Sequence, residues 1–163
     1  MAATGDTVLQ SWFYMSSLLA VDLGLRAGLA CYDESGRLRW YRSSTFGDAA
    51  RLRRAIPSLL DEAGDLTRLV IEGHGPLALG WEEDAQARDV LVRRVSPGEW
   101  RRLLLPDPDS RAAARRDAPI VARRVIAWSG LRAPSSLDHD AAAAILIGVW
   151  GVMNAGWLRD APV

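Results

Sequence analysis

Residues 18–30 decide the fold of this chain, and they read Leu18-Leu19-Ala20-Val21-Asp22-Leu23-Gly24-Leu25-Arg26-Ala27-Gly28-Leu29-Ala30. The apolar run at the start is typical of a strand buried on both faces, and Gly24 and Gly28 suit a tight turn into a second strand. Asp22 ends the apolar run, and a buried carboxylate is costly unless a positive charge meets it. The stretch therefore predicts either a metal ligand at Asp22 or an ordinary hairpin in which Asp22 caps the turn.

Length and composition indicate one globular domain. A chain of 163 residues can bury a sizeable core. It has no apolar run of membrane-spanning length, no basic segment followed by an apolar one near its start, and a single cysteine, Cys31. We therefore expect a flexible tail over residues 1–16, a single domain over residues 17–158, no association with a membrane and a cytoplasmic location.

Hydrophobic periodicity predicts strands that alternate with helices after an initial three-stranded meander. In chain order, we expect strands over residues 18–23, 28–33 and 37–43, a helix over 48–64, a strand over 66–73, a loop over 73–80, a helix over 78–88, a strand over 89–95, and helices over 96–105, over 110–129 and from 136 onward.

The strand over residues 66–73 repeats the pattern of the first strand. Its sequence Leu69-Val70-Ile71-Glu72-Gly73 again places one acid at the end of an apolar run. A strand, a helix and a second strand in this order usually make a parallel pair, so Asp22 and Glu72 are expected at the same sheet edge. Adjacent strands lie about 4.8 Å apart, and the two carboxylates could share a divalent cation.

A third acidic stretch opens the last helix with the sequence Asp138-His139-Asp140-Ala141. Acids in a first turn suit the helix dipole, which is enough to explain Asp138. Asp140 is different because it heads the apolar face of the helix. Acids at two strand ends and one helix start are suited to Mg²⁺ or Mn²⁺, which can stabilise the attacking and leaving oxygens in phosphodiester cleavage.

Positive charge is concentrated in one segment, although the net charge of the chain is zero. Residues 93–132 carry ten arginines against four acids, whereas residues 1–92 have a net charge of −4. This distribution is compatible with a cation site beside a phosphate-binding face, or more simply with a solvated helix face.

Together these features resemble the RuvC-type Holliday junction resolvases of the RNase H-like superfamily. The resemblance rests on the order of an Asp-x-Gly-x-Arg motif at residues 22–26, the acid Glu72 at the end of the fourth strand, and an Asp-Ala-Ala helix start at residues 140–142. It covers residues 18–153 and implies an α/β, RNase H-like fold with a five-stranded mixed sheet flanked by helices. It also implies a homodimer that cuts branched DNA, namely four-way junctions, with Mg²⁺ or Mn²⁺, and hence an association with the nucleoid.

The resemblance implies roles for individual residues. Asp22 and Glu72 match metal ligands of the family, and the family's basic residue before the last helix falls on Arg115 or Arg116, where the family typically has lysine. The implied catalytic residues are Asp22, Glu72, Asp140 and Asp138, of which Asp22, Glu72 and Asp140 are the metal ligands. The implied DNA-binding residues are Arg115, Arg116, Arg111, Arg26 and Trp81.

The last motif departs from the family pattern, which has an acid or His, two further residues, and then Asp followed by Ala. One register pairs Asp140 with Ala143, and the other pairs Asp140 with Leu137. A helix brings residues i and i+3 to one face, so one carboxylate is missing in either register. We therefore expect a weakened nuclease, with a non-catalytic DNA-structure-binding homologue as an alternative. A YqgF-type RNase H-like nuclease is the alternative within the fold, and Glu72 counts against it.

Seven tryptophans are many for one small core. We expect Trp40, Trp128 and Trp150 in the core, and Trp81 against a partner subunit or unstacked DNA. Symmetric cutting of a junction needs two active sites, which a two-fold homodimer supplies. The helix over residues 78–88 is the expected interface.

Overall fold

The computed structural model describes residues 15–163, so most of the tail predicted over residues 1–16 lies outside the described residues. The strands of the described part are β1 (Ser17–Asp22), β2 (Arg26–Asp33), β3 (Leu38–Thr45), β4 (Leu66–Glu72) and β5 (Leu91–Val95). The helices are α1 (Ala49–Glu62), α2 (Pro76–Ala87), α3 (Pro97–Leu104), α4 (Arg111–Trp128) and α5 (His139–Asn154).

The strands form one mixed sheet in the order β3-β2-β1-β4-β5. β1 pairs antiparallel with β2 and parallel with β4, and β5 continues the parallel half beside β4. In the β1–β4 register, Asp22 lies opposite Glu72, so both acids stand at the carboxyl ends of neighbouring strands. The predicted α/β fold with a five-stranded mixed sheet is therefore confirmed.

Helices cover both faces of the sheet and create two apolar clusters. Leu18 and Ala20 of β1 pack with residues of α3, α4 and α5, whereas Leu19 and Val21 pack with residues of α1 and α2. Successive side chains of a strand point to opposite faces, so a central strand covered on both sides needs an unbroken apolar run. This requirement explains the opening sequence of β1.

Helix α5 packs closely on the antiparallel half of the sheet. The hydroxyl group of Tyr32 on β2 donates a hydrogen bond of 2.6 Å to the carbonyl oxygen of Ile145 on α5. A Cβ atom on Gly148 would lie 2.1 Å from the Tyr32 ring, so only glycine permits this approach. Strand β2 begins at Arg26, before the predicted start at residue 28, so Gly28 lies inside the strand, where it faces the backbone at the start of α5.

Several predicted boundaries are wrong, among them those at the starts of α2, β5 and α5. Helix α2 begins at Pro76, where proline suits the first helical position, so residues 73–80 are not a continuous loop. Strand β5 begins at Leu91 because Asp89, with φ of 56°, adopts a left-handed conformation after the end of α2. Helix α5 begins at His139 rather than at residue 136, with Asp138 as its N-cap.

The tryptophans are distributed differently from the prediction. Trp81 is completely buried and Trp100 is 3% exposed, whereas Trp40, Trp128 and Trp150 are only partly buried. Trp40 and Trp150 pack against the rims of the two clusters. The prediction that these three tryptophans lie in the core is therefore wrong, since each is only partly buried. Within residues 15–163, no helix is long and apolar enough to cross a membrane.

Candidate functional site

The carboxyl ends of β1 and β4 open into a cleft of about 180 Å³. The two strands contribute Asp22 and Glu72, and helices α3, α4 and α5 contribute the remaining lining. The helical residues of the lining are Trp100, Arg101, Ala114, Arg115, Ala118, His139, Asp140 and Ala143. The fold thus brings Asp22, Glu72 and Asp140, which come from three separate stretches of sequence, to one cleft.

Asp22 is the most strongly perturbed acid of the cleft. Its burial, followed by the charges of Glu72 and Asp140, raises the pKa of Asp22 to about 7. Both causes disfavour the ionised form, because a carboxylate loses hydration on burial and is repelled by neighbouring carboxylates. A strongly shifted acid in a cleft is typical of a functional site and of a place where a positive charge is missing.

Glu72 is held by the beginning of α3. The indole Nε1–H of the buried Trp100 donates a hydrogen bond to Glu72 Oε2. Burial raises the pKa of Glu72, while the Trp100 hydrogen bond and the charge of Arg101 act in the opposite direction. Trp100 therefore orients Glu72 and favours its ionised form.

Trp100 and Arg101 are site residues that the sequence analysis missed. The capping box of Ser96 and Glu99 starts α3 directly after Val95, which lies opposite Glu72 in the β4–β5 register. A helix that starts at this point must pass over the sheet edge that carries the two acids. The Ser96-Pro97-Gly98-Glu99 signal at the end of the fifth strand was the available clue.

The acids at the start of α5 are both bound by Arg26 of β2. Its Nε lies 2.8 Å from Asp140 Oδ2, and its Nη2 lies 3.1 Å from Asp138 Oδ2. Asp138 is the N-cap residue but accepts no capping hydrogen bond through its side chain, and it is not part of the cleft lining. The structure thus places Asp140 in the cleft and Asp138 outside it, with Arg26 engaged by both.

The structure also shows which of the two registers of the last motif faces the cleft. Asp140 and Ala143 are one helical turn apart and both line the cleft. Leu137 precedes the helix and packs against the core. The register that pairs Asp140 with Ala143 therefore describes the side of α5 that faces the two strand acids.

The predicted DNA-binding residues occupy different environments. Arg115 lines the cleft and is exposed, and Arg111 is exposed at the first turn of α4. Arg116 is exposed and pairs with its neighbour Asp117 at 3.0 Å. Trp81 is fully buried and has no face available for DNA or a partner, so its predicted role in DNA binding is wrong.

Arg101 adds a cation that the sequence analysis did not single out. Its Nε is buried and has no hydrogen-bond partner within residues 15–163. A buried donor of this kind costs free energy unless an acceptor reaches it. Arg101 lies in the lining of the cleft, where its positive charge acts on Glu72.

The donor chemistry of the cleft fits a divalent cation, because carboxylate oxygens are the preferred protein ligands of Mg²⁺ and Mn²⁺. As they stand, no three His, Cys, Asp or Glu side chains in the described part of the chain form a group that could hold an ion. Trp100 occupies one oxygen of Glu72, and Arg26 occupies one oxygen of Asp140. Ala143 lines the cleft but has no side-chain atom that could bind a metal ion.

No protein-family model and no curated protein matches this chain. Among solved structures, it is similar to RuvC from Thermus thermophilus, with a TM-score of 0.61 and 15% identity over 86% of this chain and 96% of that one. A structure of T. thermophilus RuvC in complex with a Holliday junction substrate gives a TM-score of 0.61 and 14% identity, with the same coverage. The chain therefore has the α/β fold of RuvC and the RNase H-like proteins.

Proposed function

We propose that this protein is a divalent-metal-dependent endonuclease that resolves four-way DNA junctions by phosphodiester hydrolysis. The observation that carries the proposal is the convergence of Asp22, Glu72 and Asp140 in one cleft. The fold supports it, since the T. thermophilus RuvC of the same fold binds a Holliday junction substrate.

The two strand acids are the proposed principal metal ligands. Asp22 and Glu72 are register partners on parallel strands, and their carboxyl groups repel each other when both are ionised. They would hold a Mg²⁺ or Mn²⁺ ion, which would supply the missing positive charge and polarise a phosphate. Trp100 keeps Glu72 oriented, and Asp140 is the third proposed ligand.

Arginines of the cleft provide the proposed contacts with the DNA backbone. Arg115 is exposed at the rim, and the half-buried side chain of Arg101 lies in the same lining. A cleft lined only by carboxylates would repel the negatively charged phosphodiester. Positively charged side chains are therefore required next to the acids. Arg111 extends the positive surface toward the start of α4.

A non-catalytic binder of branched DNA is the second candidate. Ala143 provides no carboxylate at a cleft position, and Arg26 already neutralises Asp140. Both features of the cleft would weaken metal binding, but they leave the arginines of α4 unchanged. Binding of junctions would then be independent of metal.

Cleavage of labelled DNA distinguishes the two candidates. A four-way junction, a fork and a linear duplex are incubated with the protein and Mg²⁺, Mn²⁺ or a chelator. We expect cleavage of the junction with either metal, no cleavage with the chelator, and loss of cleavage in Asp22→Asn and Glu72→Gln. Asp61→Asn is the matched control, because Asp61 is an exposed acid that pairs with Arg88.

Binding without cleavage in every metal would favour the non-catalytic candidate. Cleavage that survives in both Asp22→Asn and Glu72→Gln would exclude this cleft as the catalytic site. Absence of both binding and cleavage would contradict both candidates.

The proposal includes a homodimer, because symmetric cuts in a two-fold junction require two sites held at a fixed separation. Helix α2 is the proposed interface, and its Leu79 is 51% exposed. If a DNA junction is the substrate, the protein is expected to associate with the nucleoid.

A further inference from the structure

Arg26 joins two carboxylates that belong to different environments. It contacts Asp140, whose side chain is 29% exposed in the cleft, and Asp138, whose side chain is 56% exposed outside it. A planar guanidinium with several donors is suited to such a bridge. Arg26 thus provides the nearest positive charge for an acid that otherwise faces Asp22 and Glu72.

The backbone holds this acid in place independently of Arg26. The start of α5 lies against Gly28 of β2, so closely that a Cβ atom there would lie 2.3 Å from the Asp140 carbonyl carbon. Arg26 is only two residues from Gly28 on the same strand. The main chain therefore fixes the position of residue 140, while the ion pair determines where its carboxylate points.

The ion pair is readily exchanged. The Arg26 side chain is 55% exposed, and ion pairs of solvent-exposed side chains contribute little to stability. A divalent cation at the same carboxylate would be repelled by the guanidinium at short range. A DNA phosphate at the cleft rim is an alternative partner that would release Asp140 from Arg26.

We propose that Arg26 is a positioning residue that competes with the divalent cation for Asp140. In the free protein Arg26 holds Asp140, and the three-carboxylate site is completed when Arg26 moves to a DNA phosphate. This inference rests on the proposed nuclease function. By linkage, DNA and cation then strengthen each other's binding, which keeps the site incomplete in the absence of DNA.

The test measures the affinity of the DNA-free protein for Mn²⁺ by electron paramagnetic resonance, with wild type, Arg26→Gln, Arg26→Lys and Arg53→Gln. Arg53 is the matched control, because it is 53% exposed and pairs with Glu83 between α1 and α2. We expect Mn²⁺ affinity about three- to tenfold higher in Arg26→Gln, because a nearby positive charge is removed. Arg26→Lys retains the charge and should stay near wild type, as should Arg53→Gln.

Thermal unfolding establishes that each variant is folded before the metal titration. Mn²⁺ affinity in Arg26→Gln that equals or falls below wild type overturns the competition, as does the absence of Mn²⁺ binding in all variants. If wild type cleaves the junction and Arg26→Gln has the Mn²⁺ affinity of wild type, the competition is overturned and the nuclease function is not. Tighter Mn²⁺ binding in Arg26→Gln without any junction cleavage overturns the nuclease function and leaves the competition standing.

Discussion

A Cβ atom on Gly28 would lie 1.8 Å from the carbonyl oxygen of Asp140. Gly28 belongs to β2 and Asp140 to the first turn of α5, so this glycine sets how closely the last helix approaches the sheet. The approach brings Asp140 into the cleft that also contains Asp22 and Glu72.

Replacement of Gly28 by alanine is expected to push the start of α5 away from β2. Overpacking of a buried contact costs about 1–3 kcal/mol, so the free energy of unfolding should fall by this amount in urea titrations. Gly98→Ala is the control, because its Cβ would meet only the mobile end of the Arg102 side chain at 3.3 Å. Equal losses in the two variants would show that the Gly28 contact has no special importance.

Asp22 should make the protein less stable as the pH rises. Its pKa is about 7 in the folded protein, against an ordinary value of 3.8. Between these values the folded state binds more protons than the unfolded state, so the free energy of unfolding decreases with increasing pH. In metal-free buffer, Asp22→Asn should therefore be more stable than wild type at pH 8, by about 2–4 kcal/mol.

The difference between Asp22→Asn and wild type should shrink at pH 4, where the wild-type carboxyl group is protonated. Denaturant titrations from pH 4 to pH 8 measure it, with Asp61→Asn as the surface control. A constant difference across this range would contradict a raised pKa for Asp22.

Arg115 and Arg116 should contribute unequally to DNA binding. Arg115 lines the cleft, whereas Arg116 pairs with Asp117. Each phosphate contact changes the slope of log affinity against log salt by about 1, so Arg115→Ala should flatten this slope by about 1. Arg116→Ala should change it less. Fluorescence anisotropy with a labelled junction at several salt concentrations measures both, and the reverse order would contradict the proposed path of the DNA.

Ala143→Asp should restore the carboxylate that the cleft lacks. Its side chain would lie one helical turn from Asp140 on the cleft side of α5. With Mn²⁺ we expect junction cleavage about tenfold faster than wild type, equivalent to about 1.4 kcal/mol. The control Ala50→Asp adds an acid to α1 on the opposite face of the sheet. Slower cleavage in Ala143→Asp than in Ala50→Asp would show that Ala143 is not the missing ligand position.

The proposed dimer should depend on the exposed surface of α2. Leu79→Arg introduces a charge at a residue that is 51% exposed on this helix, and it should convert a dimer to a monomer in sedimentation velocity experiments at micromolar concentration. Leu103→Arg alters a similarly exposed leucine on α3 and should leave the dimer intact. A wild-type monomer, with and without junction DNA, would instead favour single nicks or binding alone.

Local sequence was sufficient to predict the sheet and its two acids. The runs that end at Asp22 and Glu72 are apolar because strands covered on both faces require it, and the intervening helix makes them parallel neighbours. The caps of α3 and α4 at Ser96 and Ser110 were equally local signals, since capping depends on residues a few positions apart.

Tertiary structure alone decided how the acids are paired and which aromatic residues are buried. Arg26 meets Asp140 across more than one hundred residues, and Trp100 meets Glu72 through the docking of α3 on the sheet edge. Trp81 is buried while Trp128 is not, although both lie on helices. Such contacts depend on where each helix sits and how it is rotated against the sheet, and periodicity along the chain does not encode either quantity.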